Sequence, residues 1–177
     1  MNKFRTLNAN EIECRVATIN QNGLSLLLYK DARVDQNILD ETVGCMNWQR
    51  SHTRDNANCI VSIWDDKKQQ WVSKEDTGVE SRADGTGNEK KGLASDSFKR
   101  ACFNWGIGRE LYSAPFIWIG KEDANIVLGG NGKHQCYDKF IVEQIIYDDN
   151  KNIVALSIKN TTQRKRVFVM DNRKKEG

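Results

Sequence analysis

The stretch that most constrains this chain is residues 92–112, GLASDSFKRACFNWGIGRELY. Ala94, Phe98, Ala101 and Trp105 recur at i, i+4, i+7 and i+11, one apolar stripe at the helical period. Gly106 and Gly108 follow where such a helix must stop. Lys99 and Arg100 fall outside the stripe, about 100° apart around the axis. One rigid element therefore packs through one face and carries two adjacent cations off it. The question the sequence poses is what those cations bind.

Elements before this helix read in order. Ile12, Val16 and Ile19 keep helical spacing, which predicts a short helix over residues 8–19. LSLLLY, residues 24–29, is a strand-length apolar run. Asp31 caps a helix that runs to Val43 and stops at Gly44. Its face bearing Arg33, Asn37 and Asp40 is polar, and on pattern alone Arg33 reads as a surface ion-pair partner. Residues 48–53, 59–64 and 71–80 then alternate as three strands of an antiparallel meander, with Trp48, Trp64 and Trp71 available to one face. Aromatic residues on a sheet are core before they are stacking platforms. Residues 81–88 form a loop, with Asn88 as the N-cap of the central helix.

Beyond the helix, LGGNGK at 128–133 faintly suggests a phosphate loop. Val127 and His134 break the GxxxxGK[ST] pattern, so an ATPase is rejected. Residues 140–147 and 153–158 flank DDNKN as a hairpin. Residues 164–170 offer a third strand, and 171–177 read as a disordered basic tail. The expected fold is α+β: a β-β-β meander packed on a long central helix, with an additional C-terminal β-hairpin. One domain of 1–125 with an extension at 126–170 accounts for 177 residues.

Composition bounds the chemistry. The net charge is only +3, so local clusters say more than the total. They are Lys67-Lys68, Lys90-Lys91, Lys99-Arg100, Arg164-Lys165-Arg166 and the basic tail. Five cysteines, an odd number with no CxxC spacing, fit free thiols in a reducing cytoplasm. With two histidines there is no metal-ligand spacing, and no cofactor is expected. The first fifteen residues lack an apolar core segment, so no signal peptide is expected, and no run approaches a membrane span. No GxSxG, HExxH or readable nucleophile–base pair occurs, which favours a binding protein over an enzyme.

Three segments, in order, resemble the Rad-fifty-two-type single-strand annealing proteins and their short phage recombinases. YKDARVDQNILDETVGCMNW (29–48) is similar to the family's strand, Arg-Val-led helix and tryptophan ending. KEDTG (74–78) is similar to its Glu-Asp-x-Gly. ASDSFKRACFNWG (94–106) is similar to its Asp-x-Leu-Lys-Arg-Ala helix. The resemblance implies a ring or filament of identical subunits. Single-stranded DNA would lie in its basic groove, phosphates inward and bases open, annealing without ATP or metal. It implies that Lys99 and Arg100 are the inner-groove pair and that Arg33 is an inner-groove arginine, reversing the pattern-based reading. Lys90 and Lys91 are candidates to replace part of an outer site, and Arg164, Lys165 and Arg166 are candidates for extra phosphate contacts. A phage or host exonuclease or single-strand binding protein is a further expected partner, in the cytoplasm of a bacterial host. The rival expectations are another nucleic-acid module, for RNA or duplex DNA, and an assembly protein whose cations pair across a subunit contact.

Overall fold

The computed structural model describes residues 4–79 and 89–173, with backbone alone for 89–91. Its contacts divide the chain into two compact units. The first holds residues 1–5 and 32–109; the second holds 6–31 and 110–177.

The first unit is built on β3 (Trp48–Thr53), β4 (Asn58–Asp65) and β5 (Gln70–Thr77), an antiparallel sheet in that order, with α1 (Ala32–Val43) and α2 (Glu89–Trp105). α1 ends where Gly44 takes φ +86, a conformation that costs a glycine little. α2 lies on β4 and β5, and its stripe supplies the core: Phe98 and Ala101 are fully buried and Trp105 nearly so, against Cys59, Val61 and Ile63. Burying a ring such as Phe98 contributes about 1.5–3 kcal/mol. The buried Trp105 indole N–H donates to the Val61 carbonyl at 3.1 Å, so no donor is stranded. Trp48 faces α2, whereas Trp64 pairs with Trp71 on the opposite sheet face, so the three tryptophans do not share one side.

The second unit is all β apart from 3-10 turns. β1 (Glu13–Asn20), β2 (Gly23–Tyr29), β6 (Ile117–Gly120), β9 (Phe140–Tyr147), β10 (Ile153–Asn160) and β11 (Lys165–Asp171) form one antiparallel sheet ordered β11-β10-β9-β1-β2-β6. β11 and β6 approach one another, so the sheet curls almost closed. Leu24, Leu26, Ile117, Ile119, Val142, Leu156 and Ile158 are buried within this unit. β7 (Ile126–Leu128) and β8 (His134–Cys136) form a separate hairpin, and LGGNGK is mostly its turn.

This overturns the expected α+β class. The regular structure is mostly β, with eleven strands and two α-helices among the described residues. Its largest sheet excludes the central helix. The C-terminal strands are not an added hairpin but half of that sheet. Residues 13–20 are a strand rather than a helix, and the cause is a bulge. Register runs Val16↔Leu26 and then Thr18↔Ser25, so one extra residue is inserted at Ala17. Alternation shifts there by one place. The resulting apolar spacing at 12, 16 and 19 imitates a helix. The expected tail is replaced as far as Asp171 by β11, while residues 174–177, the loop 81–88 and its Asn88 cap lie outside the described residues.

Candidate nucleic-acid interface

The first unit brings the three resembling segments together, the first of them from Ala32 onward. Trp48, from the first, stacks on Phe98 of α2 at 6.1 Å between centroids and donates its indole N–H to Asp40 at 2.6 Å. Gly78, from the second, passes so close to α2 that a methyl group there would sit 2.6 Å from the Ser97 nitrogen. Lys74 donates to the Asn104 carbonyl at 2.8 Å and lies over the Trp105 ring. Asn104 in turn donates to the Glu75 carbonyl at 2.8 Å. Val79 N–H donates to Asp96 at 2.9 Å, and the Ser97 hydroxyl donates to the Asn56 carbonyl at 2.9 Å. The helix is thereby fixed to the sheet along its length.

On that fixed helix Arg100 is exposed and meets Asp76 at 3.6 Å. Lys99, half-buried, makes no hydrogen bond or ion pair among the described residues. Arg33 is exposed in the first turn of α1, which touches α2. Lys90 and Lys91 lie in the first turn of α2, and their side chains are outside the described residues.

Arg164, Lys165 and Arg166 belong to the second unit. Lys165 pairs with Asp123, and Arg166 pairs with Glu143 at 2.5 Å, a bond that holds the Glu143 carboxyl below its usual range. Arg164 is exposed in the β10–β11 turn and makes no side-chain hydrogen bond or ion pair among the described residues. Two of these three cations are therefore already engaged by acids.

Sequence reasoning missed Arg50, whose exposed guanidinium lies 4.6 Å from the Phe98 centroid. It also missed Arg109, which donates to the Phe103 and Asn104 carbonyls at the end of α2. The period-two alternation of Trp48, Arg50 and His52 was the available signal for Arg50. Burial, and secondarily the Arg50 charge, push the His52 pKa below its ordinary value. No group of three or more His, Cys, Asp or Glu that could hold a metal occurs among the described residues. Among them, too, no helix is long and apolar enough to cross a membrane.

No protein-family model matches the sequence, and neither the curated proteins nor the solved structures contain a match.

Proposed function

We propose that this chain binds single-stranded DNA by its phosphates and anneals complementary strands without ATP, as a ring or filament of identical subunits. The observation that carries the reading is the state of the two cations on α2. Lys99 has no protein partner among the described residues, and Arg100 has only a long, half-exposed contact with Asp76. Such a pair contributes about 0–1 kcal/mol, so a phosphate oxygen can replace Asp76 at small cost. Both cations ride on a helix that the sheet holds rigid, which suits sequence-independent contact to a backbone. The chain acts as a binding protein, in recombination within a bacterial cell, with an exonuclease or single-strand binding protein as a further partner.

The test is titration of a labelled oligonucleotide at several salt concentrations. Lys99→Ala and Arg100→Ala should each weaken binding for every sequence and reduce the salt slope by about one. Folded variants with unchanged affinity and slope would overturn the reading. Variants that fall apart into monomers would instead make α2 a subunit contact.

A further inference from the structure

The second unit carries an exposed aromatic face that phosphate binding does not use. In β2 the buried Leu24, Leu26 and Leu28 alternate with exposed Leu27 and Tyr29. In β6 buried Ile117 and Ile119 flank Trp118, which is 38% exposed. Register sets Trp118 beside Ser25 and Ser25 beside Thr18, with Arg15 opposite Leu27 and Glu13 opposite Tyr29. Phe116, immediately before β6 and 77% exposed, stacks on Trp118 at 6.4 Å between centroids and 19° between planes. Tyr29, Leu27, Phe116 and Trp118 therefore share one outer sheet face.

Two further details give this face its chemistry. A methyl group on Gly23 would meet Trp118 ring carbons at 2.5 and 2.7 Å. Glycine is thus what lets the indole lie down on the β2 backbone while the residue keeps its exposure. At the other end, the Arg15 guanidinium sits 5.0 Å from the Tyr29 centroid, within cation–π range. Three of the four large side chains are aromatic, two of them near-parallel. That is the composition of a stacking platform, since every nucleobase presents a π face. Arg15 is already paired with Glu13 at 2.9 Å, so charge adds little and the rings must supply the affinity.

We propose that this face is a second single-strand site, which holds bases by stacking rather than phosphates by charge. It rests on the reading above only for the choice of single-stranded DNA as ligand. A base whose face lies on these rings cannot at the same time stack within a duplex, so the face grips strand outside the segment being annealed.

The experiment compares oligothymidylate with an abasic oligonucleotide of equal length, on the full chain and on Phe116→Ala/Trp118→Ala. The full chain should prefer oligothymidylate, and the variant should lose that preference, binding it roughly tenfold or more weakly. Abasic binding and the salt slope should stay the same, because no phosphate contact is removed. Phe116→Leu, which keeps apolar bulk without a ring, should lose part of the preference. Equal binding of the two oligonucleotides by the full chain, with Lys99→Ala weaker on both, would overturn this site and leave the α2 reading standing. Loss of base preference in the variant, with Lys99→Ala and Arg100→Ala unchanged, would do the reverse. A change of oligomeric state in place of DNA affinity would make the face a subunit contact and overturn the proposal, as would a full chain that binds neither oligonucleotide.

Discussion

Replacing Gly78 by alanine should destabilise the first unit by about 2–4 kcal/mol. The new methyl group would stand 2.6 Å from the Ser97 nitrogen and 3.1 Å from the Leu93 oxygen and Ser97 Cα, all backbone atoms of one helix. Ordinary contact begins at 3.4 Å, so α2 and the end of β5 must part by close to an ångström. No flexible side chain can absorb that. Overpacking of this kind costs about 1–3 kcal/mol. The same movement strains the Val79–Asp96 and Ser97–Asn56 hydrogen bonds, each contributing about 1 kcal/mol net. Against this stands the gain of about 0.4–1 kcal/mol from a less flexible unfolded chain, which is too small to reverse the sign. Urea unfolding followed by tryptophan fluorescence is the assay, because Trp48, Trp64, Trp71 and Trp105 all lie in the first unit. Gly130→Ala, where a methyl group meets nothing within 4 Å, is the control and should stay within about 0.5 kcal/mol of the parent. A Gly78→Ala protein as stable as the parent, with the same denaturant dependence, would refute the close approach of strand and helix.

Other consequences follow from the same unit. Asp76→Asn removes the charge that competes for Arg100 while keeping an acceptor for the Thr77 N–H, so oligonucleotide affinity at low salt should rise about two- to fivefold; an unchanged or lower affinity would mean that Arg100 does not reach DNA. The folded unit holds the His52 pKa below 6.5, so the unfolded chain takes up its proton first on acidification. Stability should therefore be full above pH 6.5 and fall as the pH drops towards the folded value, and His52→Gln should remove that part of the dependence in urea titrations run at several pH values.

The parts of the fold legible in the sequence are those fixed by local periodicity. The stripe of α2 and the stop at Gly44 are read directly, because helical spacing and a left-handed glycine are properties of neighbours in the chain. The six-stranded sheet was not legible. Its join, Glu13 opposite Ile141, links distant residues whose strands carry no mark of one another. The bulge at Ala17 then disguised β1 as a helix. For the candidate site, Lys99 and Arg100 could be found because they stand as adjacent cations off an apolar stripe. Which cations are already engaged could not: the acids that hold Lys165 and Arg166 come from the turn after β6 and from β9, both distant in the chain. The aromatic face of the second unit was invisible for the same reason, since Leu27 and Tyr29 of β2 come to share a face with Trp118 only through the pairing of β2 with β6.

The most direct test of the central claim is the annealing rate of two complementary labelled oligonucleotides, measured in chelator and without ATP, with the oligomer sized in parallel. The account predicts acceleration by the parent protein as a large oligomer. It predicts loss of that acceleration in Lys99→Ala/Arg100→Ala at unchanged oligomer size. Annealing no faster than the strands achieve alone, or acceleration that survives the loss of both cations, would contradict it.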